Sequence, residues 1–173
     1  ARAVHLERQL ASHIKEAKED NSISLVEAAS ILMMCREYMS INPDNPRVQK
    51  LSSQCRNVID KAQGDDAASD GSVLTAAIAV RYLEDNSESN LKDFQSITEE
   101  AAQVLALHDG DLFLFGLKDL SPAAANGLAS HTGWLSLIGL VTIHEAVAEA
   151  LAQHAGSELG LNRLRDLTLE TAR

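Results

Sequence analysis

Three histidines recur at a fixed interval in this chain. His108, His131 and His154 stand 23 residues apart, each two residues before a glycine (Gly110, Gly133, Gly156). Imidazole is a common metal ligand, and three in a column could hold a cation. The plainer expectation is that each histidine fills the same niche at a helix end, where a positive charge suits the helix dipole. We expect the second, and therefore no metal site. Other arrangements fail on spacing. His5 and His13 lie two turns apart on one helix, and no HExxH motif occurs. Asp66–Ala77 matches a calcium loop only at Asp66, Asp70 and Gly71, and ends in Ala77 where a glutamate is needed. GxSxG, P-loop and GxGxxG patterns are absent. Ser121 and His144 could be paired on paper as nucleophile and base, but Ser121 is explained more simply as a helix cap. The acidic residues are scattered, with no pair spaced for acid–base work. The expectation is a protein that is not an enzyme, with no catalytic residues and no bound cofactor.

The aromatic residues carry a different chemistry. The chain has one Trp, two Tyr and three Phe. Phe113, Phe115 and Trp134 all fall on alternate positions of two short runs, DLFLF and WLSLI. In an LxL strand the leucines point into the core and the alternate residues point out. The outward set is then Asp111, Phe113 and Phe115, next Trp134, Ser136 and Ile138, next Glu158, Gly160 and Asn162. Clustered exposed aromatics are enriched in binding hot spots. The expected partner-binding residues are Phe113, Phe115, Trp134, Ser136, Ile138 and Asn162. The alternative is that the chain's own N-terminal helices, or a neighbouring chain, cover this face as ordinary core.

These residues are placed by a repeat. Shifted on itself by 23 residues, the chain aligns Ile97–Asp119 with Leu120–Thr142, and with Ile143–Asp166 after one inserted residue. A fourth copy begins at Leu167. AxxxLA, HxG and LxL recur in phase. Thr98, Ser121 and Thr168 stand where a helix N-cap belongs, with Pro122 at a first helical position and Glu99 and Glu100 at a positive helix end. The glycines read as helix stops. One helix and one short strand cannot bury a core alone, but stacked copies can. The third copy has Arg163 where the others have Gly116 and Gly139, and Ser157 or Glu158 is inserted, so it is expected to be distorted.

The pattern LxLxGLxxLSxxAAxxLAxHxG resembles the leucine-rich repeat, and is similar to 23-residue repeats abundant in planctomycete bacteria. The resemblance covers Ile97–Arg173. It implies an α/β fold, a short solenoid with helices outside and short parallel strands on the concave side. It also implies a bacterial source and a protein–protein interaction role. The alternative is a structural subunit of a larger multi-protein assembly, with neighbouring subunits on the open last coil.

Upstream the pattern fades. Leu91, Phe94 and Ile97 keep the leucine spacing, so Ser72–Asp85, capped by Ser72, is read as the helix of a degenerate first repeat. Arg2–Ser40 and Pro46–Gln63 read as three helices. Val4, Leu6, Leu10 and Ile14 stripe the first. Ser24 and Glu27 make a capping box for the second, with Val26, Ala29, Leu32 and Met33 on its apolar face. The third carries Val48, Leu51, Cys55, Val58 and Ile59. The expected division is a helical region 1–64, a linker and degenerate repeat 65–96, and the repeats 97–173. The helices either cap the first repeat or form a module of their own.

Charge narrows the partners. Fifteen basic residues stand against 25 acidic, for a net charge of −10, with no basic stripe. Nucleic acid and anionic membrane surfaces are thereby disfavoured. No apolar run is long enough for a transmembrane segment. The chain starts at Ala1 with no signal-like stretch, which fits a processed product or a piece of something longer. A soluble, cytoplasmic location is the expectation. Cys35 and Cys55 have no CxxC partner and are expected as buried free thiols.

Overall fold

A computed structural model of the chain describes residues 5–6, 8–13, 23–65, 72–85 and 91–168. It divides into two units, Ala1–Ala67 and Ala68–Arg173. The boundary falls in the polar Gly64–Gly71 segment where the sequence suggests a linker.

The first unit is helical. Helix α1 is described over residues 5–6 and 8–13, with Leu6 and Leu10 buried. Val4 and Ile14 of the expected stripe lie outside the described residues. Helix α2 (Leu25–Ile41) opens on the expected capping box. The Glu27 backbone N–H donates to the Ser24 hydroxyl oxygen at 3.3 Å, and the Glu27 carboxylate accepts from the Ser24 N–H at 3.0 Å. These bonds from Ser24 hold the Glu27 carboxyl below its usual pKa. Helix α3 (Pro46–Asp65) starts with Asn45 Oδ1 accepting from the N–H groups of Arg47 and Val48. The two helices pack on each other. Their buried faces are Ala28, Ala29, Ile31, Leu32, Cys35 and Tyr38 against Val48, Leu51, Cys55 and Ile59. Val26 and Met33, expected on that face, are only half-buried. Both thiols are free. Burial pushes Cys35 up to about 12 and Cys55 to about 11, so neither is a nucleophile at neutral pH.

The second unit is mixed α/β with short parallel strands. In order it contains β1 (Val73–Leu74), α4 (Ala76–Asp85), β2 (Ser96–Ile97), α5 (Glu99–Leu105), β3 (Leu112–Phe113) and α6 (Pro122–Ala129). Then follow β4 (Trp134–Ser136), β5 (Thr142–His144), α7 (Glu145–Ala152), β6 (Glu158–Gly160) and β7 (Asp166–Thr168). Every strand pair is parallel. Val73 lies opposite Ser96, Leu112 opposite Leu135, Leu135 opposite Leu159, and Ile143 opposite Leu167. Partners are thus 23 residues apart before the inserted residue and 24 after it. Helix α5 packs between α4 and α6, and α6 packs on α7.

Two columns of strand run through this unit where the sequence predicts one. β3, β4 and β6 follow a helix and carry the LxL pattern. β1, β2, β5 and β7 precede a helix, and their short apolar residue is the one beside the cap. The backbone bonds persist where no strand forms: the Gln95 carbonyl accepts from the N–H groups of Lys118 and Asp119, as the Val141 carbonyl does from Arg165 and Asp166.

The core is the leucine column. Leu112, Leu114, Leu117, Leu135, Leu137 and Leu140 are fully buried. Ala101, Ala102, Ala124 and Ala125 are buried on the inner helix faces, where a small side chain lets helix and strands close up. Thr98 and Ser121 cap α5 and α6, accepting from the N–H groups of Ala101 and Ala124. The α7 cap position is His144, which makes no side-chain capping bond. A helix after Thr168 would lie outside the described residues. Ser72 is not a cap. Helix α4 starts after Thr75, 23 residues before Thr98, and the Ser72 carbonyl accepts from Gln95 and Ser96.

The glycines also play a part other than the expected one. The helices end several residues before Gly110, Gly133 and Gly156, and none of the three adopts the left-handed conformation. A Cβ on Gly133 would strike the Gly110 carbonyl, and one on Gly156 the Gly133 carbonyl. The requirement is close approach between successive repeats. It also locates the insertion. Gly156 still sits on Gly133, yet Glu158 pairs with Trp134, so Ser157 is the extra residue.

Gly139 tests this packing. A Cβ there would meet the carbonyl oxygens of both Leu117 and Phe115. Gly139→Ala is expected to cost about 2–3 kcal/mol of stability, read from the urea unfolding midpoint of the second unit by Trp134 fluorescence.

Candidate functional site

The face built from β3, β4 and β6 holds the expected partner-binding residues in three rows. The middle row is Phe113, Ser136 and Gly160, directly opposite one another in register. On one side of it stand Asp111, Trp134 and Glu158, and on the other Phe115, Ile138 and Asn162. The Trp134 N–H donates to Asp111 Oδ1 at 3.2 Å, which joins the first row across the strands.

The aromatics meet. Phe113 and Trp134 have ring centroids 5.3 Å apart at 81°, an edge-to-face contact, and Phe113 and Phe115 are 5.5 Å apart at 51°. Phe115 is exposed at 38%, and Phe113, Trp134 and Ile138 are half-buried. Asn162 is exposed. Ser136 departs from expectation. It is fully buried and cannot touch a partner. Trp134 explains this: a Cβ on Gly160 would lie 3.3 Å from Ser136 Oγ and 3.6 Å from Trp134 Nε1, so the indole reaches over the middle row. Neither Ser136 Oγ nor Trp134 Nε1 has a hydrogen-bond partner.

Two charged features were not singled out from the sequence as site residues. Asp111 and Glu158 are exposed on either side of Trp134. Lys92 Nζ lies 5.7 Å from the centre of the Phe115 ring. The signal for Lys92 was present, since it stands 23 residues before Phe115. It went unused because the repeat is degenerate there.

The histidine column is real, but its chemistry is not that of a cation or a metal site. His108 and His131 stack with centroids 6.4 Å apart and planes at 4°, and His131 and His154 at 6.3 Å and 25°. Tyr82 meets His108 edge-on at 5.4 Å. Imidazole lone pairs lie in the ring plane, so stacked rings direct them side by side rather than to one point. Among the described residues no group of three His, Cys, Asp or Glu side chains is arranged to hold a metal. His131 is fully buried, and its ring nitrogens make no hydrogen bond of good geometry. Burial first, then the neighbouring imidazoles of His108 and His154, lower its pKa below 6.5; the Gly110 backbone and Asp111 oppose this in part. His131 is therefore neutral at pH 7, and the expected dipole-stabilising cation is corrected to a neutral packing element. It packs against glycine: a Cβ on Gly133 would lie 2.9 Å from His131 Nε2, and one on Gly110 2.7 Å from His108 Nε2.

Among the described residues no helix is long and apolar enough to cross a membrane. Comparison with known protein families, curated proteins and solved structures finds no match.

The lowered pKa of His131 gives a signed pH dependence. The folded chain binds fewer protons there than the unfolded chain. Stability is then full above about pH 6.5 and falls as pH drops through that value. Glu27 acts lower, below its usual carboxylate range. We expect the urea midpoint of the second unit to fall between pH 7.5 and 5.5, and His131→Phe to flatten that slope. An unchanged slope in the variant would count against a buried neutral His131.

Proposed function

We propose that the second unit is a short leucine-rich-repeat-like solenoid. Its aromatic strand face binds another protein, and it carries out no catalysis. The fold part of this reading is supported by parallel pairing at 23 and 24 residues and by successive packing of α4, α5, α6 and α7. The functional part rests chiefly on one observation: three of the chain's six aromatic side chains share one contiguous, partly exposed face. A rigid scaffold under exposed aromatics suits binding, because little side-chain freedom is lost on contact. The expectation that the N-terminal helical region caps the first coil stays a proposal, resting on the apolar edge that any solenoid end carries.

A second reading, a structural subunit in a larger assembly, draws on Leu167. Its register partner Ile143 is 5% exposed, and Leu74 and Ile97 in the same strand role are 0% and 7%. Leu167 is 50% exposed. An apolar residue so placed suits coverage by a neighbour.

Random dodecapeptides displayed on phage and selected on the immobilised chain test the first reading. Binders are expected that shift Trp134 emission and lose about 2 kcal/mol or more of affinity on Trp134→Ala. Ile41→Ser, at an exposed site in the other unit, should leave them unchanged. Binders indifferent to Trp134 and Phe115 would remove this face as the docking site.

A further inference from the structure

The partner's chemistry is written in the row that holds Trp134. Strand register sets Glu158 directly opposite Trp134, and the Asp111 carboxylate on the other side accepts the Trp134 N–H. Neighbouring strands are about 4.8 Å apart, so the indole stands between two carboxylates about 10 Å from one another. Both acids are exposed. Phe113 packs edge-on against the indole and fixes its plane. Beneath the indole lies the fully buried Ser136, whose hydroxyl has no hydrogen-bond partner.

We propose that this row receives an arginine side chain from a basic segment of the partner protein. This rests on the reading of the aromatic face as a docking surface. A guanidinium is planar and weakly hydrated. It stacks on an indole and donates in its own plane to carboxylates on either side. Trp134, Asp111 and Glu158 supply that combination. The far row has the opposite character. There Lys92 already lies over Phe115, and Ile138 and Asn162 complete a neutral strip. The bound segment is therefore polar along its length: arginine on the Asp111–Trp134–Glu158 row, and an apolar residue without positive charge on Phe115 and Ile138. The net charge of −10 draws such a ligand in and repels nucleic acid.

The binders selected from the dodecapeptide library provide the test. The best is synthesised in two forms, with arginine and with citrulline, which keeps the shape and removes the charge. The expected result is an arginine in the binders and a loss of about tenfold in affinity for the citrulline form. Asp111→Asn and Glu158→Gln should each weaken the arginine form by about fivefold and the citrulline form little. Asp111→Asn keeps the side-chain oxygen that accepts the Trp134 N–H, and Glu158→Gln does not touch that bond. Unfolding midpoints equal to the parent's confirm intact folds. Binders that need Trp134 but carry no arginine, or that ignore the citrulline exchange, overturn the arginine site and leave the docking face standing. A library that yields no Trp134-dependent binder overturns both.

Discussion

Residues 72–168 answer to one constraint: each repeat lies directly on the one before it. The backbone approach is so close that a glycine Cβ at position 133, 139 or 156 would occupy the place of a carbonyl oxygen. At that spacing every side chain rests on its counterpart 23 or 24 residues away. Leucine meets leucine in the core, alanine meets alanine on the inner helix faces, and imidazole meets imidazole in a stack. The sequence repeats because the neighbours do. The functional face inherits this order. Trp134 can sit between Asp111 and Glu158 only because parallel pairing brings three sequentially distant positions side by side.

The same constraint decides the role of the histidines. A fully buried imidazole without a good hydrogen bond is tolerable neutral and costly as a cation. Equivalent positions in successive repeats put like charges 6.3–6.4 Å apart if two were protonated together. The stack therefore holds while the rings are neutral, and acid is its natural opponent. The buried thiols of the first unit show the same preference, with burial holding Cys35 and Cys55 in the uncharged form.

What was legible in the sequence follows from how local each signal is. Ser24 with Glu27, and Thr98 and Ser121 before alanine-rich runs, announce their helices because capping is settled within four residues. The 23-residue register was legible because so many columns repeat in phase. The second strand column was not, since two-residue strands such as Ser96–Ile97 carry no alternation to detect. Ser72 was misread as a cap because a serine beside a turn signal looks the same whether its hydroxyl or its carbonyl is used. The glycines were misread because close approach to a distant repeat leaves no local mark. In the candidate site, alternation placed Phe113, Phe115 and Trp134 on one face. It could not foresee that the indole would cover Ser136, because that depends on the missing side chain at Gly160.

The most direct measurement of the central claim, in-register stacking under an aromatic face, is a proton NMR map of through-space contacts at the single tryptophan and the core leucine methyls. The account predicts cross-peaks from the Trp134 ring to Phe113. It also predicts a chain of contacts from Leu112 to Leu135 to Leu159, with none directly between Leu112 and Leu159. Contacts between Leu112 and Leu159 without Leu135, or a Trp134 ring with no contact to Phe113, would contradict it.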